Sequence, residues 1–404
     1  MKKIYLLFLA LTALTAANAQ NWAIQNSGSF SSLRSVCFTS SNTGYAVGNY
    51  GLILKTTNGG NQWVIEYQDS AFQLNSVCFT DVNTGYAVGG GPNGSKILKT
   101  TNGGVTWTPQ MPVGTSYLNS VSFPDANTGY AVGEQGIVLK TTDGGNLWTM
   151  KSYGTYSTLY SACFTNANTG FIVGAGDLIL KTTDGAATLT VQHAGGPLSG
   201  YLFSVRFIDA NTGYAVGEEI NPAYGTILKT IDGGAEWTTL SSGTANALHS
   251  VCFTGPNTGY VVGSNNIIMK TANGGNYWIN QTSGPSNILY SVCFPAADTG
   301  YAVGDNGVIL KTTNGGGVGF VENNLPSAHV KAWPNPSSGN VTVQGAALAV
   351  NTNLSVSDIH GTEVLKQQVK DCTTQLNTRN LPSGVYFITV KNDQTVEVVR
   401  FIKE

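Results

Sequence analysis

Apolar and polar residues alternate along this chain in short runs, and the runs return in a fixed order. "LNSVCF" (Leu74 to Phe79) is followed by the turn "DVNTG" and the apolar run "YAVG". A short variable segment, the run "ILKT", the turn "NGG" and a run opened by tryptophan come next. Period-two alternation bounded by Gly, Asn and Asp predicts β-strands, so four strands and no helix are expected in each unit. The glycine of "TG(Y/F)" falls at Gly44, Gly85, Gly129, Gly170, Gly213, Gly259 and Gly300, which gives spacings of 41, 44, 41, 43, 46 and 41. Units of this length with four strands each predict an all-β chain folded as a seven-bladed β-propeller.

One irregularity bears on closure. The seventh unit stops at "LKTTNGGGVG" without a tryptophan strand, whereas "NWAIQNSGSFSSL" near the N-terminus matches the fourth strand of another unit, "YWINQTSGPSNIL" (Tyr277 to Leu289). Trp22 and its neighbours are therefore expected to complete the last blade, closing the ring and removing a free edge. Upstream, Lys2 and Lys3 precede an apolar run from Ile4 to about Leu14 and the small residues Ala17 to Ala19. This reads as a secretory signal peptide over 1–19, cut after Ala19. No later stretch approaches the ~20 apolar residues of a membrane span, so no membrane insertion is expected. The propeller is placed at 20–318 and a linker at 319–331. A second domain follows at 332–404, where alternating apolar residues with turns at Gly361 and Gly384 predict a small β-sandwich.

Composition narrows the partners. Glycine supplies 50 of 404 residues and charged residues only 10%, against a usual ~25% charged. A turn-rich surface of Ser, Thr and Asn suits an extracellular β protein. The net charge of −2 offers no basic field for nucleic acid or an anionic membrane. Cys37, Cys78, Cys163, Cys252 and Cys293 share one strand position, where units three and five have Ser122 and Arg206. Equivalent positions on different blades should lie beyond the ~7 Å Cα separation a disulfide tolerates, so these are read as packing residues. His193, His249, His329 and His360 lack metal-ligand spacing, and the first two are expected in surface loops. The lysine recurring once per unit from Lys55 to Lys311 marks a strand position. No cofactor and no metal are expected.

The turn between the third and fourth strands reads Thr-x-(Asn/Asp)-x-Gly-x-x-Trp, as in Thr56, Asn58, Gly60 and Trp63. An Asn or Asp side chain can bond backbone N–H groups one or two residues on, and Gly can take positive φ. With tryptophan covering the hairpin, each part is expected to work inside its own blade. The motif resembles the Asp-box of the BNR repeat, found in sialidases and in propellers of the photosystem II assembly and stability factor family. The wording "GYAVG…G.ILKT.DGG..W", over about 300 residues, looks most like the latter family. The resemblance implies a structural motif, not a catalytic one. Unit four departs from it, with Ala186 for Gly and Leu189 for Trp, and a looser corner is expected there. In the second domain the matching elements are Pro334-Asn335-Pro336, Ser338-Gly339, Asp358 with Gly361, Leu381 to Tyr386, and the basic end Arg400 to Lys403. They resemble the C-terminal sorting domain of the type IX secretion system of Bacteroidetes. That resemblance implies export through the periplasm and outer membrane by that machinery. Its sorting peptidase then removes the tail, with release or attachment to the cell surface.

Sialidases that share the Asp-box need three arginines to hold the sialic acid carboxylate. The propeller has only Arg34 and Arg206, which leaves such chemistry without its clamp. A glycosidase needs two carboxylates roughly 5–9 Å apart. Glu134, Asp177, Glu218, Glu219 and Asp305 all follow "VG" between the second and third strands and could gather at one mouth of the ring; solvated loop acids are the simpler reading. The function expected is therefore a secreted or cell-surface, non-catalytic propeller that binds an extracellular glycan or protein. A polysaccharide-active glycosidase using the loop carboxylates is the alternative, and a surface-layer protein without a specific ligand is a third possibility. The constant turns "NTG" and "NGG" should share one face. The variable connections, with linker aromatics Tyr67, Tyr117, Tyr153, Tyr156 and Tyr201, should share the other. Binding residues concentrate on loops held by a rigid scaffold, and aromatic rings beside amides and acids suit sugars and protein hot spots. The ligand-binding residues expected are Tyr50, Glu134, Glu218, Glu219, Tyr224 and Asn265.

Overall fold

The computed structural model describes residues 22–110, 116–151, 156–195, 199–220, 223–281, 287–317, 330–344, 353–358, 362–369, 373–391 and 396–404. The expected signal peptide, most of the expected linker, Tyr153, His329, His360, Gly361 and Cys372 lie outside them. The chain divides into two compact units, 1–319 and 320–404.

The first unit holds seven four-stranded antiparallel sheets. Blade one is Leu33–Phe38, Gly44–Gly48, Ile53–Thr56 and Val64–Tyr67, and blades two to six repeat it in chain order. Blade seven takes three strands from 289–312 and its fourth, Ala23–Gln25, from near the N-terminus; Ala23 pairs with Lys311 and Gln25 with Ile309. The ring is closed by the N-terminal strand, as the sequence implied. Trp22 is fully buried and meets Tyr260 and Phe294 edge-on at 6.5 and 5.8 Å.

The seven first strands touch one another in a closed cycle and so surround the axis. Their repeated serine explains how the cycle is tied. Each serine Oγ accepts from a backbone N–H of the next first strand, from Ser35 to Val77 N and onward to Ser291 with Val36 N, at 3.2–3.4 Å. The second strands, "GYAVG" and its variants, are buried along their whole length, because adjacent blades cover both faces. A Cβ on Gly48 would sit 2.0 Å from the Ser32 carbonyl, so the last residue of that strand has to be glycine.

The repeated turn works differently from the sequence expectation in two respects. Asn58 Oδ1 reaches four residues, accepting from Gln62 N at 2.9 Å, while Thr56 Oγ1 accepts from Gly60 N at 2.8 Å. The second difference is that its packing crosses the blade boundary. Trp63 lies with Leu33, Val36 and Leu54 of its own blade but also with Tyr301, Val303 and Ile309 of blade seven. Tyr301 in turn donates its hydroxyl to Gly59 O (2.7 Å), the carbonyl that also accepts from Lys311 Nζ (2.6 Å). Tyr214 with Lys229 on Gly274, and Tyr260 with Lys270 on Gly315, repeat this latch. A turn hairpin has no apolar layer of its own to cover a tryptophan, so the neighbouring blade supplies it.

Blade four keeps the hydrogen bonds and loses the cover. Ala186 N still donates to Thr182 Oγ1 at 2.9 Å, with Ala186 at φ 63. Tyr130 turns its hydroxyl to Ala167 O at 2.6 Å, and Leu189 is half-buried in place of an indole.

Cys37, Cys78, Cys163, Cys252 and Cys293 are free thiols. Burial pushes the thiols of Cys37, Cys78, Cys252 and Cys293 up, the last to about 12. Thiolate is the reactive form, so at pH 8 these four should resist iodoacetamide for hours in the folded chain and alkylate within minutes after guanidinium unfolding. Peptide mapping by mass spectrometry reads this out, and prompt native labelling at these four would overturn it.

The second unit is a sandwich of two sheets. One is Lys331–Trp333, Asn340–Gln344 and Thr373–Asn377; the other is Glu363–Gln368, Asn353–Ser357, Gly384–Lys391 and Val396–Lys403. Val341, Leu354, Ile388 and Phe401 are among its fully buried core. Its first strand opens at Lys331, one residue before the expected boundary. Asn335 fastens the Pro-Asn-Pro turn to the last strand, donating to Arg400 O and accepting from Ile402 N.

Candidate functional site

The two faces of the ring divide as the turns suggested. In every blade the "NGG" turn donates a glycine N–H to the carbonyl of the "NTG"-type turn, for example Gly59 to Asn42 and Gly103 to Asn83 at 2.8 Å. These constant turns share a face. The variable segments dock on the residue before the first strand, as Asn49 N on Ser32 O and Glu134 N on Tyr117 O at 2.9 Å. They share the other face.

On that variable side a β-bulge interrupts each first strand between its leucine and its serine. Bulges re-aim side chains. The residue in the bulge is Arg34, Asn75, Asn119, Tyr160, Phe203, His249 or Tyr290 in blades one to seven, and all seven are half-buried. They meet in sequence around the axis. Tyr160 lies 5.2 Å from Phe203, Phe203 4.9 Å from His249, and His249 5.5 Å from Tyr290. Arg34 sits 4.3 Å over the Tyr290 ring. Tyr201 extends the arc, 5.9 Å from Phe203. On the opposite side Asn75 donates to Leu118 O and Asn119 to Leu159 O, both at 2.9 Å. The mouth is therefore aromatic over four blades and amide-lined over two, with one guanidinium between the two arcs.

Burial, and after it the Arg34 charge, push His249 down to about 4, so it is neutral at physiological pH. Its Nε2 lies 3.2 Å from Ser264 Oγ. Burial also pushes the Tyr160 and Tyr290 phenols up. Arg34 Nε donates to Asn49 Oδ1 at 3.3 Å, and Asp305 accepts from Ser32 Oγ at 2.8 Å. His249 stands in the strand Leu248–Phe253 and His193 in Thr190–His193; neither is the surface-loop residue expected.

The expected site residues do not form one cluster. Glu218 stands opposite Tyr201 in the paired strands of blade five and Glu134 opens the tight turn of blade three, both close enough for their charges to help raise the Tyr160 phenol; burial raises the Glu218 carboxyl. Glu219 pairs with Tyr224 in the long hairpin of blade five. Burial raises the Glu219 carboxyl, and after it the nearby Asp177 charge. Asp177 is not a solvated loop acid: it is 4% exposed and accepts from Gly200 N at 3.1 Å. Tyr50 and Asn265 each occupy a separate tight turn between second and third strands. Tyr224 borders a groove of about 440 Å³ along Thr239–Thr244. Sequence reasoning missed the bulge residues, although a signal was present. In "LRSVCF", "LNSVSF", "LYSACF", "LFSVRF" and "LHSVCF" the second position changes chemistry while the leucine and serine beside it stay fixed.

The geometry is that of a closed seven-bladed propeller with a chemically varied mouth, followed in the chain by a small β-sandwich. The chain belongs to the family described as photosynthesis system II assembly factor YCF48, which matches in overlapping stretches over 14–111, 65–154, 110–193, 147–244, 189–281 and 235–347. Residues 331–404 match the secretion system C-terminal sorting domain, which implies type IX secretion to the cell surface or beyond. No helix among the described residues is long and apolar enough to cross a membrane. No curated protein matches the chain by sequence. Among solved structures, YCF48 bound to D1 peptide is 18% identical with a TM-score of 0.61, covering 73% of this chain and 97% of that one. A GH74 enzyme of Niastella koreensis is 14% identical with a TM-score of 0.60, covering 94% and 74%. PorZ, an essential surface component of the type IX secretion system of Porphyromonas gingivalis, is 12% identical with a TM-score of 0.53, covering 90% and 58%. At these identities the likeness is one of fold.

Proposed function

We propose that the chain is a non-catalytic extracellular binding protein that takes a glycan or protein ligand on the variable face of the propeller. The observation that carries this is the arc of Tyr160, Tyr201, Phe203, His249 and Tyr290 with Arg34, held half-exposed at the mouth. Buried hydrophobic side chains would cost nothing to hide completely, whereas a rim of aromatic faces beside amides and one charge suits ligand contact. The solved YCF48 complex holds a peptide, which agrees with ligand binding on such a ring.

The glycosidase reading draws on the GH74 enzymes of similar fold. Against it, Asp177 is 4% exposed and its carboxylate accepts from Gly200 N at 3.1 Å, so it is turned into the protein and not presented to a sugar as one of a catalytic pair. Reducing-sugar assays with the purified chain on plant and microbial polysaccharides should show no release above buffer; sustained release would reverse the reading.

The face is tested by alanine substitution once a ligand is found by glycan array and pull-down. Tyr160→Ala, Phe203→Ala and Tyr290→Ala should each weaken binding by tenfold or more, with smaller losses for Glu134→Ala and Glu218→Ala, in keeping with hot-spot truncations of ~2 kcal/mol or more. Asn61→Ala and Asn146→Ala on the constant face should leave affinity unchanged. The opposite pattern would place the ligand on the constant face.

A further inference from the structure

The tight turn between second and third strands has the same form in blades one, three, six and seven, and its middle residue takes left-handed backbone angles. These residues are Tyr50 (φ 60), Gln135 (φ 55), Asn265 (φ 55) and Asn306 (φ 56). In three of the four that residue is an amide, and its side chain bonds the linker residue nineteen positions earlier. Gln135 accepts from Ser116 at 3.0 Å, Asn265 donates to Asn246 at 2.7 Å and Asn306 to Asn287 at 3.0 Å. The amide therefore has a structural task, and Asn is among the residues that tolerate the left-handed region best.

Blade one breaks this device. Tyr50 is a bulky residue in a conformation such residues rarely adopt, it is 56% exposed, and its hydroxyl has no hydrogen-bond partner among the described residues. Its side chain does not repeat the linker bond of the other three, and only its backbone carbonyl ties a linker, accepting from Asp69 N at 3.0 Å. Backbone strain held at an exposed aromatic is an observation that points from structure to function. Beside it lies a groove of about 330 Å³, lined by Tyr50, Tyr117 and Phe72 with Asn49, Gln73 and Ser70; the nearest cation, Lys96 Nζ, is held 4.7 Å over the Phe72 ring. The neighbouring carboxylate of Asp69 is engaged, accepting from the backbone N–H of the lining residue Ala71 at 3.0 Å. Tyr117 lies against the backbone of Gly90, where a Cβ would meet its ring at 3.0 Å, so that ring is fixed in place.

We propose that this groove is a subsite for a neutral sugar, with Tyr50 as the platform on which a pyranose ring stacks and Asn49 and Gln73 as hydroxyl partners. Two aromatic faces, amides and a hydroxyl without formal charge match the apolar faces and the alternating donors and acceptors of an uncharged sugar. A peptide or an acidic sugar would find no counter-charge among the lining residues themselves, since Lys96 is engaged over the Phe72 ring and Asp69 by Ala71 N. The inference rests on the glycan branch of the proposed function and places one contact point outside the central mouth, between blades one, two and three.

The test is isothermal titration of the full chain with cellohexaose, xylohexaose, mannohexaose and, as the anionic control, hexagalacturonate. At least one neutral hexasaccharide should bind and the control should not. Tyr50→Asn and Tyr117→Ala should each weaken that binding at least tenfold. Because Asn is what blades six and seven place in this turn, Tyr50→Asn should melt no lower than the parent, which separates lost contact from lost fold. Unchanged affinity in Tyr50→Asn would overturn the subsite, as would the absence of binding by every neutral hexasaccharide at millimolar concentration. A phage-displayed peptide captured by the parent and not by Tyr50→Asn would also overturn it, assigning the groove to peptide. If Phe203→Ala abolished sugar binding and Tyr50→Asn did not, the proposed function would stand and this subsite would fall. Cleavage of the bound hexasaccharide would sink the non-catalytic reading and leave the subsite intact.

Discussion

Deleting residues 21–29 should lower the melting temperature of the propeller by roughly 10 °C or more, and Trp22→Ala alone should account for much of that loss. Trp22 is fully buried between Tyr260 and Phe294, and truncating a core aromatic to alanine costs about 3–5 kcal/mol. For a domain of this size each kcal/mol moves the midpoint by roughly 2–4 °C. The deletion also strips the partner from Ile309–Thr312, leaving an unpaired edge in the one blade that joins both ends of the ring. Edges of that kind recruit other chains, so aggregation at lower temperature should accompany the shift. Calorimetry and light scattering on parent, Trp22→Ala and the deletion test this. A melting curve unchanged in the deletion would mean that closure contributes nothing to stability.

Removing residues 332–404 should abolish delivery to the cell surface and medium while leaving the propeller folded. The sandwich has its own core, built from Val341, Leu354, Ile388, Phe401 and their neighbours, and no blade cluster includes any of them. Neither unit therefore depends on the other for its apolar interior. In the native host the truncated chain should accumulate in the periplasm, with fractionation and immunoblotting as the measurement. Its melting temperature should match that of the propeller transition in the full chain. Normal arrival outside the cell would contradict the sorting role of the tail, and a molten propeller would contradict the independence of the two units.

The sequence by itself determined the elements, their count and their closure. Seven copies of one alternation pattern state seven blades, and a tryptophan run missing after Gly315 but present at Trp22 states which strand closes the ring. Local signals are enough here because each strand's apolar residues have to be covered whichever neighbour covers them. The assignment of turns to faces was legible for the same reason, since alternate connections of an up-and-down sheet always emerge on opposite sides.

Only the tertiary structure decided what those residues touch. The indole of Trp63 and the ring of Tyr301 belong to repeats at opposite ends of the chain, and they meet across a blade boundary. The repeat pattern places the partner of every tryptophan one blade away without saying so, because periodicity is silent about contacts between periods. The mouth was hidden for a related reason. Arg34, Tyr160, Phe203, His249 and Tyr290 are far apart in the chain, and a bulge turns each of them toward the axis. A bulge adds one residue without changing the alternation enough to be read, so the side chain it re-aims looks like an ordinary strand position until the ring closes. The five acids that share one sequence context likewise parted company. Asp177 became buried near Glu219, Asp305 went to Ser32, Glu218 stands opposite Tyr201 and Glu134 opens the tight turn of blade three. Identical context fixed their height on the propeller, and the local length of each hairpin and linker fixed where their carboxylates went.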